Sequence, residues 1–185
     1  KSHPCMRDCT NSQPLICSYD WQIEWYEVLS KACLDCPFNL TSCNLKECVS
    51  ANGINRAIIA VNRILPGPAI NVCFGDEVRV RVHNKLHNIE GITIHWHGIH
   101  QKGSPFMDGV NMITQCPITS HTYFDYRFIA DSHGTHMWHA HSGLQRADGA
   151  FGPIIVRESK RSNPFAFAYD FDLPEHVIVV HDWLN

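Results

Sequence analysis

Short runs of β-branched and aromatic residues, separated by turn-forming residues, are the feature that most limits what this chain can fold into. From about residue 54 onward there are seven such runs, at 57–61, 69–73, 78–82, 91–97, 123–128, 135–141 and 151–156. The breaks between them carry proline, glycine and aspartate, as in Leu65-Pro66-Gly67-Pro68, and such residues favour turns. Seven short strands at this spacing predict an all-β domain, either a sandwich or a barrel.

Cysteines are concentrated near the N-terminus. Seven of the nine lie within the first 48 residues, while Cys73 and Cys116 stand apart. This density indicates disulfide bonds, and therefore a secreted, extracellular protein; the glycosylation sequon at Asn39 agrees with that location. Cys33 and Cys36 form a Cys-x-x-Cys pair that could instead be half of a zinc site or a redox pair, but a second such pair is missing. Because nine is odd, one thiol should remain unpaired, and the pairing of the others cannot be deduced from spacing.

Composition limits the partners and suggests three parts. A formal net charge of −3 without a long basic run disfavours nucleic acid as a partner, and no stretch of about twenty apolar residues exists to span a membrane.

The pattern predicts a cysteine-rich extension at 1–53, the β domain at 54–160, and a linker with the first strand of a following domain at 161–185. Since that strand, at 176–180, begins just before the sequence ends, we expect this chain to be the N-terminal part of a longer protein.

Two His-x-His pairs are the strongest chemical signal in the sequence. His95 and His97 lie in one predicted strand, and His139 and His141 lie in another. Residues two apart in a strand point to the same face, so neighbouring strands would bring all four imidazoles together. Imidazole nitrogen binds copper, zinc, nickel and iron, and we therefore predict a metal centre rather than four unrelated surface or core histidines. His136 lies three residues before His139 and should point to the opposite face.

The sequence around these pairs resembles the first cupredoxin domain of the multicopper oxidases. The matching strings are His95-Trp96-His97-Gly98, Met107-Asp108-Gly109-Val110, Thr114-Gln115-Cys116-Pro117-Ile118 and the run 134–143. Upstream, Val61-Asn62-Arg63 and the block 33–39 resemble the cysteine-rich N-terminal region of insect laccases in particular. The resemblance implies a cupredoxin-like Greek-key β-sandwich or barrel that carries a disulfide-rich N-terminal extension.

The same resemblance implies the ligands of a copper cluster. In this family a trinuclear cluster held by eight histidines, four of them from the first domain, reduces dioxygen to water. By that match, His95 is a ligand of the type 2 copper, and His97, His139 and His141 are ligands of the paired type 3 coppers. Asp108 matches an acidic residue that is thought to deliver protons to the oxygen intermediates. Without the family, Asp108 followed by glycine is equally well explained as an ordinary turn.

Electrons enter these enzymes at a separate type 1 copper in the last domain. Its ligands are cysteine and histidine, and no His-Cys-His string occurs in this sequence. Cys116 is therefore not expected to bind copper. It matches a family cysteine that commonly bridges to a later domain of the same protein, which would account for the odd cysteine count.

Three functions are compatible with these observations. The first is the N-terminal part of a secreted laccase-like oxidase that couples one-electron oxidation of diphenols, or of ferrous iron or ascorbate, to reduction of dioxygen; this segment alone should be inactive. The second is a copper-binding domain without catalytic turnover. The third is a zinc enzyme, because His-x-His and one further histidine can hold a catalytic zinc ion.

Overall fold

Two four-stranded sheets make up the fold in the computed structural model, which describes residues 3–10, 13–87, 89 and 91–183. The strands are β1 (Ile16–Glu27), β2 (Ala57–Val61), β3 (Ile70–Cys73), β4 (Glu77–Asn84), β5 (Ile94–His97), β6 (Tyr123–Ile129), β7 (Gly134–Ala140) and β8 (Phe151–Arg157). The first sheet has the order β2-β1-β4-β6 and the second the order β3-β8-β7-β5. Each of the seven predicted runs contains a strand, so the all-β prediction is confirmed.

Helical structure is sparse. The described residues contain one short helix, α1 (Leu40–Cys43), and 3₁₀ turns at Lys31–Cys33, Pro105–Met107 and Pro174–His176. Within this described part, no helix has the length and apolar character that crossing a membrane requires.

The cysteine-rich segment contributes a central strand to the first sheet. β1 pairs antiparallel with β2 through Ile23 and Val61, and parallel with β4 along Ile16 to Ile23. Along this strand Trp21, Ile23 and Trp25 alternate with the polar Gln22 and Glu24, a pattern that is typical of a β-strand. The change of composition near residue 53 is not, however, a boundary of the sheet, because residues on both sides of it are hydrogen-bonded neighbours.

Three tryptophans fill the space between the sheets. Trp21, Trp96 and Trp138 are each at most 1% exposed, and the ring of Trp21 lies 4.4 Å from that of Trp138 and 5.7 Å from that of Trp96. The Trp138 indole N–H donates to the carbonyl of Pro68 at 2.9 Å. A Cβ atom on Gly152 would lie 2.7 Å from the Trp138 ring, so the indole packs directly on the backbone of β8. Truncating a core tryptophan of this kind costs about 3–5 kcal/mol.

Four disulfides join eight of the nine cysteines. The pairs are Cys5–Cys17, Cys9–Cys73, Cys33–Cys48 and Cys36–Cys43. The zinc or redox alternative for the Cys-x-x-Cys pair is therefore wrong, because its two cysteines bond to different partners. Cys116 is exposed and is the one free thiol among the described residues, as the odd count predicts.

The segment that follows β8 contains no strand within its described residues, 158–183. The predicted strand at 176–180 is absent: a 3₁₀ turn ends at His176, and Ile178 and Val180 are 84% and 90% exposed. An apolar β-branched run becomes a strand only where another strand can pair with it, and the described chain provides none here. The segment instead contacts the domain through Arg157, whose guanidinium donates to both carboxylate oxygens of Asp172.

Candidate metal centre

Antiparallel pairing of β5 with β7 brings the four histidines of the two pairs together. His95 lies opposite His139 in the ladder, and their neighbours Trp96 and Trp138 are paired with each other and buried in the core. The distances between ring centroids are 5.3 Å for His95–His139, 5.5 Å for His95–His141, 5.6 Å for His95–His97, 5.7 Å for His97–His139 and 5.9 Å for His139–His141. The two inward tryptophans thus fix the outward direction of the imidazoles.

The donor atoms of this cluster are close enough to share metal ions. One ring nitrogen from each of His95, His97 and His139 lies within 4.8 Å of the other two. His141 lies just beyond the end of β7, where its backbone N–H donates to the carbonyl of Thr93 at 3.0 Å and holds the residue beside β5.

Backbone carbonyls determine which ring nitrogen of His95 and of His139 is left free to bind a metal ion. Nδ1 of His95 donates to the carbonyl of Asp108 at 2.7 Å, and Nδ1 of His139 donates to the carbonyl of Ala140 at 2.9 Å. A carbonyl only accepts, so Nδ1 carries the proton and Nε2 keeps its lone pair, the arrangement typical of metal-binding histidines.

The surroundings of Nε2 of His139 indicate whether these residues fit a metal ion. It is buried and has no hydrogen-bond partner among the described residues, which costs about 1–3 kcal/mol for a polar atom. Burial also lowers the pKa of His139 to about 4, so the ring is neutral at neutral pH. A buried, unpaired and neutral Nε2 within this cluster of imidazoles suits copper, which favours nitrogen ligands of this kind.

Asp108 lies beside His95 at the end of the 3₁₀ turn Pro105–Met107. Its carboxylate Oδ1 is 3.4 Å from Nδ1 of His95, and its side chain is 27% exposed. The following residue, Gly109, has a φ of 76°, and a Cβ atom there would lie 1.8 Å from the carbonyl oxygen of Ile94. The loop therefore packs directly against β5, which a larger residue would prevent.

Two contacts at the centre have no signal in the sequence pattern. The first is the backbone carbonyl of Asp108, which orients His95 although sequence reasoning considers only the carboxylate. The second is Asn111, whose side-chain amide donates to Oγ of Ser142 at 2.8 Å and ties the loop to the end of the second histidine pair. Both contacts depend on the path of a loop, which residue spacing does not define.

The other histidines that are close to the two pairs in sequence make their described contacts outside the cluster. Nε2 of His136 donates to the carbonyl of Ser132 at 3.0 Å, in line with its predicted opposite orientation. His100 and His133 are largely exposed, with Asp131 and Glu158 as their nearest acidic neighbours.

The centre is open on one side. His97 and His141 are exposed, whereas His139 is buried. Large apolar side chains are also exposed in the segment between the two pairs, with 72% for Phe106 and 81% for Ile113, and just after the second pair, with 69% for Leu144.

Comparisons with known proteins agree on one family. A family model described as "Multicopper oxidase" matches residues 43–161, which include both histidine pairs. Laccase-2 of Cryptococcus neoformans var. grubii is 42% identical over 149 residues, which cover 80% of this chain and 24% of the relative. L-ascorbate oxidase of Cucumis sativus is 40% identical over 135 residues, which cover 72% of this chain and 22% of the relative. The chain thus spans about a quarter of the length of these curated relatives.

Solved structures show the same relationship. The laccase from Botrytis aclada superposes with a TM-score of 0.65 at 31% identity, covering 82% of this chain and 25% of that one. Fet3p, described as a multicopper oxidase that functions in iron import, superposes with a TM-score of 0.65 at 29% identity, covering 85% and 25%. The fold is accordingly cupredoxin-like. Cryptococcus and Botrytis are fungi and Cucumis is a plant, so the insect resemblance of the cysteine-rich segment stays a prediction.

Proposed function

The chain belongs to the multicopper oxidase family, and from this premise we propose that it is the N-terminal part of a secreted, laccase-like oxidase. The complete enzyme would couple one-electron oxidation of diphenols or similar small reductants to the four-electron reduction of dioxygen to water. The observation that carries this proposal is the convergence of four imidazoles on one open face, with Nε2 of His139 buried and unpaired.

The four histidines would provide half the ligands of a trinuclear copper cluster. We assign His95 to the type 2 copper and His97, His139 and His141 to the type 3 pair, with four further histidines and the type 1 copper in a later domain. Copper bound there would supply the electron-transfer chemistry that reduces dioxygen. The role of this chain is to hold the imidazoles in place, through the tryptophans behind them and the carbonyls that accept from His95 and His139.

Asp108 would serve as the proton relay of the centre. Forming water from dioxygen consumes four protons, and a carboxylate that is partly exposed can exchange protons with solvent while it stays beside the ligands. The 3.4 Å separation from Nδ1 of His95 and the exposed quarter of the side chain support this role. The backbone of the same residue orients His95, so we propose two separate tasks for Asp108.

Later domains of the same protein are the proposed partners of the open face. His97 and His141 are exposed and could share metal ions with ligands from a covering domain, which could also bury exposed apolar side chains such as Phe106 and Leu144. The exposed thiol of Cys116 is available for a disulfide to such a domain.

Four disulfides, and a sequon whose Asn39 is exposed at the start of α1, support secretion and glycosylation.

The relatives of this chain include a laccase, an ascorbate oxidase and a multicopper oxidase of iron import, so three reductants are tested in parallel. Identity to a laccase and to an ascorbate oxidase differs by only two percentage points, 42% against 40%, and Fet3p superposes equally well. The test is to measure copper content and oxygen uptake of the full-length protein that carries this chain, with catechol, ascorbate and ferrous iron supplied in parallel.

We expect bound copper and the fastest oxygen uptake with catechol. His139→Ala should abolish uptake and lower copper content, whereas His100→Ala, which changes a largely exposed histidine outside the cluster, should alter neither. Zinc in place of copper would overturn the proposal. Copper without oxygen uptake would favour a binding domain without turnover, and faster uptake with ascorbate or iron would correct only the substrate.

A further inference from the structure

A second pair of histidines lies on the other sheet, away from the metal centre. His87 follows β4 and His121 precedes β6, both are exposed, and their ring centroids are 5.1 Å apart. This separation is shorter than the 5.3 Å between the rings of His95 and His139 in the metal centre. Both imidazoles line an open cavity of about 590 Å³ that the first sheet forms with the neighbouring loops.

A single buried asparagine fastens the two loops that carry these histidines. The backbone carbonyl of Asn84 accepts from the N–H of His121 at 2.8 Å, and its side-chain oxygen accepts from the N–H of Leu86 at 2.9 Å. Its side-chain amide donates to the carbonyl of Ile118 at 2.8 Å, and Oγ of Ser120 donates to the carbonyl of Leu86. The two imidazoles are therefore presented by loops that are bonded to each other rather than by independent surface segments.

The backbone at His121 is held in an uncommon conformation. Its φ of 61° is in the left-handed region, where histidine, asparagine and aspartate are found more often than other side chains. The hydrogen bond from the His121 N–H to the carbonyl of Asn84 ties this residue to the end of β4, and the His121 ring lies beside the His87 ring.

The ring nitrogens of both residues are available to a ligand. Within the described part of the chain, neither ring makes a hydrogen bond or an ion pair, and the aromatic neighbour of each ring is the other. The two carboxylates of the same cavity, Glu24 and Glu47, are paired with Arg63 at 2.9 and 3.3 Å. The imidazole nitrogens are therefore the main groups in the cavity that remain free to bind a metal ion.

We propose that His87 and His121 form a second metal site, which binds one exchangeable divalent transition-metal ion and prefers Cu²⁺. Two imidazoles are suitable ligands, and the general order of affinities for nitrogen sites places Cu²⁺ above Zn²⁺ and Ni²⁺. Because two protein ligands leave the other coordination positions to water, this site should be weaker and faster to exchange than a centre with four histidines. Lys85 on the same rim is cationic and should weaken binding further, which again favours exchange over permanent retention.

The site can be tested by counting bound Cu²⁺ in the 185-residue chain by equilibrium dialysis. The variants are His121→Asn, which tolerates the left-handed backbone, and His87→Asn; His100→Asn is the matched control on an exposed histidine outside both clusters. Each of the first two should bind one Cu²⁺ fewer per chain than the unaltered protein, and the double variant should lose no more than either one. The control should retain the full count.

A spectroscopic measurement on the unaltered chain guards against a folding defect in the variants. Once the four-histidine centre is filled, further Cu²⁺ should broaden the nuclear magnetic resonance signals of both His87 and His121 more than that of His100. An unchanged Cu²⁺ count in His87→Asn and His121→Asn, an equal loss in His100→Asn, or no selective broadening would each overturn the proposal.

Discussion

Gly109 sets the position of Asp108 and, through it, the orientation of His95. Replacing it with alanine places a methyl group 1.8 Å from the carbonyl oxygen of Ile94 and adds a side chain at a φ of 76°. We expect Gly109→Ala to lower the free energy of unfolding by about 1–3 kcal/mol or more and to reduce copper retention. Thermal unfolding and metal analysis measure the two effects.

Gly103 offers the matched control for that substitution. Its φ is 81°, yet a Cβ atom there would meet nothing within 4 Å. Gly103→Ala therefore carries the backbone penalty without the collision. If both variants lose the same stability and the same copper, the contact with β5 is not what positions the loop.

Asp108→Asn separates the two tasks proposed for this residue. The backbone carbonyl that orients His95 remains, so copper content should be unchanged. Oxygen uptake by the full-length enzyme should fall by roughly 10²-fold or more, because the proton-carrying group is lost. Asp125→Asn, which changes a half-exposed carboxylate on the other sheet, is the control. Undiminished uptake in Asp108→Asn would contradict a proton role.

Asp76 should make stability depend on acid pH. The carboxylate is fully buried and accepts from Arg7 and from the N–H groups of Leu15 and Cys73. Burial by itself raises its pKa, but these hydrogen bonds together lower the pKa below its usual value. Since the folded pKa is the lower one, the stabilisation is present in full above the unfolded pKa of about 3.9 and is lost as the pH falls through the folded pKa.

Asp76→Asn should remove this dependence. We expect a loss of about 2–3 kcal/mol at neutral pH and a shallower decline of stability below about pH 4 than in the unaltered chain. Denaturant unfolding between pH 2 and 7 measures both. Asp125→Asn, which breaks an exposed pair with Arg81, should change the free energy of unfolding by no more than about 1 kcal/mol. Parallel acid profiles for Asp76→Asn and the unaltered chain would refute the assignment.

At the level of elements, local patterns predict the strands but not all of their partners. Alternation of apolar residues locates β1, and the two-residue period places the histidine pairs on one face, because both depend only on neighbouring residues. The parallel pairing of β1 with β4 joins residues about sixty positions apart, for example Cys17 with Val78, and no local pattern specifies it. The run 176–180 has a composition suitable for a strand, but it forms none because the described chain offers it no partner strand.

The two disulfides Cys9–Cys73 and Cys36–Cys43 should contribute unequally. The first spans 64 residues and joins the N-terminal segment to β3, while the second closes a loop of 7 residues near α1. In the chain-entropy treatment, removing the longer link costs about 4 kcal/mol and removing the shorter about 2 kcal/mol. Thermal unfolding of the two paired Cys→Ala variants compares them directly. Equal losses would mean that packing around the sulfurs, rather than loop length, decides their contribution.

For the whole molecule, the exposed side of the histidine cluster implies that this chain can bind metal without catalytic turnover. We expect the 185-residue chain to take up copper through His95, His97, His139 and His141 but to show no oxygen uptake with catechol, because the proposed route of electron entry lies in a later domain. Metal analysis and an oxygen electrode test this on one sample, and the full-length protein is the positive control. Catechol-dependent uptake by the chain itself would contradict the proposed division of the cluster.

The placement of β1 between β2 and β4 governs how this protein can be recombined with its relatives. A chimaera whose crossover falls near residue 53 would take the middle strand of the first sheet from one parent and both flanking strands from the other. Every cross-strand contact along that strand would then combine side chains that had not been selected together, and such neighbouring contacts are rarely additive. A crossover after Arg157 keeps both sheets and all four disulfides from a single parent, and is therefore the better junction.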